Sequence, residues 1–274
     1  MTVIYHNPAC GTSRNTLALL RAAGTDPQVI DYLKTPPSRA MIEDLVGRSG
    51  LSLRAALRRK GTPFSDLGLD DPALSRDDLL DAVIAHPILL NRPFVVTGKG
   101  VKLCRPSDMA ADLLPALPSG EILKEEGVPF LLDQPVAPDD GGLRAALLAA
   151  DLPVADLDGS AGRFYSYRTL GGAEVGYGGF EPVGGDILLR SVVVLPAARG
   201  RGIGGNLVAL LLRRAFDLGA EHALLLTTSA GPFFTAIGFK ALARDLAPAA
   251  LAATRQFTGT CPSHAAVFSR AITL

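Results

Sequence analysis

The 274-residue chain has no tryptophan, only three cysteines and four histidines, and no excess charge of either sign, with Lys+Arg and Asp+Glu at 27 each. So sparse a cysteine count excludes a disulfide scaffold. The few His and Cys show no ligand spacing, which leaves no ground for a metal site. The balanced charge removes the basic field that nucleic acid or an acidic membrane would require, so an anion site must come from local clusters of arginine. The longest apolar stretches, Ile187–Leu195 and Val208–Leu212, are far too short for a bilayer. The N-terminal MTVIYHNPAC has no basic region followed by an apolar run, so no signal peptide is expected and a reducing cytoplasm is the expected compartment. What is present is core material: 48% of residues are hydrophobic and 20% charged. That composition is globular, and the length predicts two domains.

The pattern along the chain predicts α/β structure in both halves. Thr2–His6 reads as a strand, and a helix opens near Thr16. Gln28–Tyr32 reads as a second strand, and Ser38 is placed to cap a helix after Pro36-Pro37. Leu51 to His86 reads as helical, interrupted at Gly61-Thr62-Pro63. Strands are expected at Ile88–Leu90, Phe94–Thr97 and Val101–Cys104, the last two joined by Gly98-Lys99-Gly100. A β-α-β start with a later hairpin and a last helix is the thioredoxin-like order. Proline, glycine and charge accumulate over 115–127, so domains are expected at 1–120 and 128–274 with a linker at 121–127. Beyond it lysine nearly vanishes, and several strands lead to a long one at Ile187–Leu195, a glycine-rich turn and an apolar helix at Gly204–Leu218.

Cys10 lies between the first strand and the first helix, in Asn7-Pro-Ala-Cys-Gly-Thr-Ser-Arg-Asn15. A free thiol titrates near about 8.5, and a helix N-terminus beside a cation lowers it. Gly11, Thr12 and Ser13 then offer N–H groups and hydroxyls to an anion, with Arg14 close by and His6 as a further charge or proton source. A small inert cysteine at a helix cap is the bland alternative. Arg58, Arg92 and Arg105 tilt the reading. Two of them directly precede a proline, which holds the pre-proline residue extended and fixes the direction of a guanidinium fork for a tetrahedral oxyanion.

Four segments, His6–Asn15, Arg54–Arg58, His86–Pro93 and Leu103–Ser107, resemble the glutaredoxin-coupled ArsC arsenate reductases over about residues 1–120. The resemblance implies a thioredoxin-like domain with a helical insertion, Cys10 as nucleophile, and Arg58, Arg92 and Arg105 holding arsenate. It also implies a cis Arg92–Pro93 bond. Position 13 is serine, so no C-x-x-C resolving pair exists, and the counterpart of Cys104 is dispensable in the family. The electrons are expected from glutathione and glutaredoxin. Regulators of the same superfamily carry C-x-x-C and lack the full arginine set.

In the second half, Arg199-Gly-Arg-Gly-Ile-Gly-Gly-Asn206 follows the long strand and opens a helix. Converging backbone N–H groups in such a turn suit a pyrophosphate. A Rossmann site would want the turn after the first strand and an acidic residue ending the next; His222–Thr227 runs into Thr-Ser instead. The turn, with Phe233-Phe-Thr-Ala-Ile-Gly-Phe239, resembles the GNAT N-acetyltransferases, a mixed-sheet acyl-CoA fold, and the Leu188–Val192, Thr227–Phe234 and Cys261–Ala265 segments are most similar to the ArsN-type enzymes of arsenic resistance. By that resemblance Val192 and Val194 meet the pantetheine arm of acetyl-CoA, and Arg199, Gly200, Arg201, Gly202, Gly204 and Gly205 its pyrophosphate. Glu181 is the candidate general base for a small-molecule amine acceptor, against an ordinary strand-end glutamate. Arg190 is read as a partner for a substrate carboxylate or arsonate, or as a structural ion pair. Cys261 and His264 are read as candidate pocket residues, against a core cysteine and a surface histidine. The whole reads as a bifunctional arsenic-detoxification enzyme; the alternatives are a GNAT module that only binds a ligand or partner, or a redox regulator.

Overall fold

The computed structural model describes residues 1–274, which divide into two compact units, 1–126 with Leu274, and 127–273. The first unit is built on a four-stranded sheet. Strand β1 (Val3–His6) pairs in parallel with β2 (Gln28–Asp31) through helix α1 (Gly11–Ala22), and antiparallel with β3 (Phe94–Thr97), which pairs with β4 (Gly100–Leu103). The order β2-β1-β3-β4 is thioredoxin-like. Helix α2 (Arg39–Arg48) starts where Ser38 accepts the Met41 N–H, and α3 (Arg76–Ala85) starts in a capping box between Ser75 and Asp78. Both bury leucines (Leu45, Leu79, Leu80) against Tyr32, Phe64 and Phe94, at about 1.5–3 kcal/mol of transfer free energy per fully buried side chain.

The helical run expected from Leu51 to His86 forms only at its end. Residues 51–75 are turns, because Gly61, Pro63, Gly68 and Pro72 interrupt the pattern and because 56–58 bonds to a distant segment. Arg58 N–H donates to the Leu89 carbonyl and Asn91 N–H to the Ala56 carbonyl, around an isolated bridge between Leu57 and Leu90. The strand expected at Ile88–Leu90 is a single 3-10 turn, Pro87–Leu89, and the last helix is also of 3-10 type, Ser107–Leu113.

The second unit carries a seven-stranded mixed sheet. Its strands are β5 (Leu131–Val136), β6 (Arg163–Thr169), β7 (Glu174–Val183), β8 (Asp186–Val194), β9 (His222–Thr227), β10 (Lys240–Leu242) and β11 (Ala266–Ala271), in the order β10-β11-β9-β8-β7-β6-β5. Helix α4 (Gly141–Leu148) follows β5, α5 (Ile203–Phe216) joins β8 to β9, and α6 (Gly231–Ala236) follows β9. The apolar face of α5 seats Leu207 and Leu211 on β7, where Gly178 leaves room: a Cβ there would lie 2.7 Å from Leu211 Cδ1. Strands β8 and β9 are parallel and pair only at Ile187–Ala223 and Leu188–Leu224. Beyond that point they diverge. No helix is long and apolar enough to cross a membrane.

Candidate active sites

Cys10 is the N-cap residue of α1, so the N–H groups of the first turn lie at its position without intrahelical acceptors. The loop before it is tied down: Cys10 N–H donates to the Asn7 carbonyl at 3.0 Å, and Asn7 Oδ1 accepts from Ala9 N–H at 2.9 Å. Burial opposes ionisation of the thiol, yet hydrogen bonds from the Ser13 backbone and hydroxyl and the charges of Arg105 and Arg92 bring it below its ordinary value.

Two pre-proline arginines project toward this thiol from cis peptides, Arg92–Pro93 and Arg105–Pro106. The Arg105 guanidinium donates to the Arg92 carbonyl at 3.2 Å, and Arg92 Nη1 to the Ile88 carbonyl at 3.1 Å. The 57–90 bridge brings Arg58 to the same place, and mutual repulsion with Arg92 adds to burial in lowering the Arg58 guanidinium below its usual range. The buried Nε atoms of Arg58 and Arg92 and the Asn91 amide nitrogen have no hydrogen-bond partner. Unpartnered guanidinium nitrogens on Arg58 and Arg92, with the Arg105 charge beside them, surround a thiol favoured as thiolate, an arrangement chemically suited to an oxyanion. Tyr32 closes the floor: burial pushes its hydroxyl up to about 12, and it donates to the Leu90 carbonyl at 3.1 Å.

In the second unit the divergence of β8 and β9 opens a cavity of about 430 Å³, lined among others by Arg190, Ser191, Val192, Thr227 and Cys261. On β8, Ser191 and Val192 stand opposite the single residue Gly178, a bulge that puts Ser191 at φ +56° and turns backbone groups out of the ladder toward the cavity. At the end of β8 the glycine turn takes positive φ at Gly200 (+76°) and Gly202 (+73°), and Gly202 is the N-cap of α5. The first N–H groups of α5 therefore point outward without intrahelical acceptors, and a Cβ on Gly204 would lie 3.2 Å from the Phe233 ring. This cradle fits the pyrophosphate of an acyl-CoA; Arg199 Nε steadies the turn by donating to the Val194 carbonyl at 3.1 Å.

Comparison with known proteins finds a family for each of the two units. Residues 5–113 match the ArsC family, and residues 160–241 match the acetyltransferase (GNAT) domain. The arsenate reductase of Rhizobium meliloti (strain 1021) is 55% identical over 145 residues, covering 53% of this chain and 99% of that protein. The chain belongs to the ArsC family. The arsenate reductase of Escherichia coli (strain K12) is 49% identical over 124 residues, 45% of this chain and 88% of that protein. A solved putative acyl-CoA N-acyltransferase from Klebsiella pneumoniae is 20% identical, with a TM-score of 0.42, covering 52% of this chain and 97% of that one. An ArsC domain is thus fused to a C-terminal GNAT domain.

Not every residue singled out in the sequence stands where it was expected. In the ArsC domain, Cys10, Ser13, Arg58, Arg92 and Arg105 come together, with Gly11 and Thr12 in the first turn of α1. Arg14 is not a free cation: it is paired with Glu125 at 2.6 Å and donates to the Pro8 carbonyl at 2.7 Å. His6 is buried, and burial lowers it below its usual range, which disfavours the charged ring expected beside the thiol. Residues 124–126 are not free linker. Lys124 pairs with Asp108 at 2.7 Å with both side chains almost wholly buried, and Glu126 accepts from Asn15 at 3.0 Å.

In the GNAT domain, Glu181 does not stand free as a base. It binds Arg190 and accepts from Ser160 Oγ at 2.5 Å, while Arg190 also donates to Asp156 at 2.7 Å. Cys261 lines the cavity, and His264 is exposed outside it. Sequence reasoning missed Tyr32, Asn91 and the Ser191 bulge. The glycines at 176, 178 and 179 opposite the bulge were the available signal.

Proposed function

We propose that the chain is a bifunctional enzyme, an arsenate reductase through Cys10 and an acetyl-CoA-dependent N-acetyltransferase through the 199–205 cradle. The observation that carries the first reading is the activated Cys10 thiol beside buried, unpartnered guanidinium nitrogens of Arg58 and Arg92. Arsenate takes up those donors, the Cys10 thiolate forms an S–As bond, and one arsenate oxygen leaves as water. The arginines, with Arg105, hold the negative charge that grows on the remaining oxygens. With serine at position 13, the second thiol comes from outside. Glutathione replaces another oxygen, again as water, and a glutaredoxin thiolate then attacks the glutathione sulfur. The mixed disulfide carries away the oxidising equivalents, the S–As electron pair stays on arsenic, and water releases arsenite from Cys10. Arsenate-dependent NADPH oxidation in the presence of glutathione, glutaredoxin and glutathione reductase tests this. Turnover that survives Cys10→Ser would overturn it.

For the second reading, the bound thioester supplies an activated acetyl group. Gly200, Gly202, Gly204 and Gly205 shape the anion cradle, and the Ser191–Val192 bulge presents backbone groups at the cavity wall. Glu181 and Arg190 hold each other, so the acceptor amine loses its proton through water rather than to Glu181. The acceptor class is a small-molecule amine, with amino-bearing organoarsenicals as the arsenic-linked members to screen. Stabilisation of the full chain by acetyl-CoA, and acetylation of an amine panel, test this reading.

A further inference from the structure

The β8–β9 cavity has the size of a small-molecule site, and just two of its lining side chains are charged, Asp151 and Arg190. The Arg190 charge is already neutralised and is not free for a ligand anion. Its guanidinium is 2% exposed and is held between the carboxylates of Asp156 and Glu181. Asp156 is fixed in turn by Gln256 Nε2 at 3.2 Å. Behind the cavity, Arg244 donates both Nη groups to backbone, to the Ala265 and Phe257 carbonyls at 3.1 and 2.8 Å, and lies 4.0 Å over the Phe257 ring. Asp151 is different. It is exposed at the cavity rim, makes no ion pair or side-chain hydrogen bond, and is held at φ +53° where α4 has ended.

On the acetyltransferase reading above, we propose that the acceptor is an amine bearing no acidic group, and that Asp151 is the residue that recognises its ammonium. A carboxylate, phosphonate or arsonate entering this cavity would find Arg190 already neutralised by two carboxylates and would meet the Asp151 charge at the rim. It would lose its hydration without gaining a paired cation, which is costly in a partly enclosed site. An ammonium gains the Asp151 charge at entry, then sheds its proton to water before it attacks the thioester. Arg190 is thus a structural partner of Asp156 and Glu181 rather than a clamp for a substrate carboxylate or arsonate.

The test compares phenethylamine with phenylalanine, which differ by one carboxylate, and includes 4-aminophenylarsonate. The full chain is assayed with acetyl-CoA, reading product by chromatography. The amine is expected to show kcat/KM at least about tenfold above either acid. Asp151→Asn, which keeps a side chain tolerant of positive φ, is expected to raise the amine KM about fivefold, the size of one partly exposed charge pair. Preference for phenylalanine or the arsonate, or an unchanged KM in Asp151→Asn, overturns the proposal. Turnover of none of the three while acetyl-CoA still raises the melting temperature also overturns it and leaves the acetyltransferase reading standing. Loss of that stabilisation in the native chain would instead remove the acetyltransferase reading itself.

Discussion

Arg14, four residues past Cys10, is gripped by Glu125 through two parallel hydrogen bonds of 2.6 and 2.7 Å. The contact spans 111 positions of sequence and neutralises a cation that would otherwise face Cys10. Glu125→Gln leaves the Arg14 charge uncompensated. The pH midpoint of Cys10 alkylation by iodoacetamide is therefore expected to move downward. An upward shift would mean that Glu125 acts by ordering the loop and not through charge.

Ser13 acts in the opposite sense. Its backbone and hydroxyl favour the thiolate against the burial that disfavours it. Ser13→Ala removes the hydroxyl, so the Cys10 midpoint should rise and alkylation at neutral pH should slow. A midpoint that stays put would assign the lowering to the Ser13 backbone N–H, Arg105 and Arg92 without the hydroxyl. In the same assays Arg92→Ala should cost about 100-fold in kcat/KM for arsenate, the scale of one lost oxyanion donor, while Cys10 is still alkylated.

Lys124 and Asp108 are 4% and 0% exposed at their side chains. Lys124→Ala leaves a buried carboxylate without its cation, which typically costs about 3–5 kcal/mol. Faster hydrogen exchange of the Ser107–Leu113 amides is the expected readout. Unchanged protection there would show that the segment 124–126 is not anchored.

Gly204 sits in the first turn of α5, where a Cβ would press on Phe233 and a larger side chain would fill the cradle. Gly204→Val should abolish the rise in melting temperature caused by acetyl-CoA and leave arsenate reduction intact. Persistence of that rise would place the pyrophosphate elsewhere.

Glu181→Gln separates a base from a network residue. Because Glu181 is held by Arg190 and Ser160, the substitution should lower the melting temperature and leave the shape of the kcat pH profile unchanged. A lost pH limb at constant stability would restore Glu181 as the base.

The sequence by itself determined the two families and the local features on which both proposed activities rest: Cys10 ahead of a helix, serine instead of a second thiol at 13, arginines placed before prolines, and glycines at 200, 202 and 204. These features are local, since caps, pre-proline geometry and positive φ are properties of a few adjacent residues. Only the tertiary structure decided which charges are free. Arg14 and Arg58 look alike in sequence, yet Glu125 takes up the first, while the 57–90 bridge carries the second, with an unpartnered Nε, to the thiol. Glu181 and Asp151 are likewise two ordinary carboxylates until the fold sets one against Arg190 and leaves the other at the cavity rim. Charge pairing depends on contacts between residues distant in the chain, and no local pattern records them.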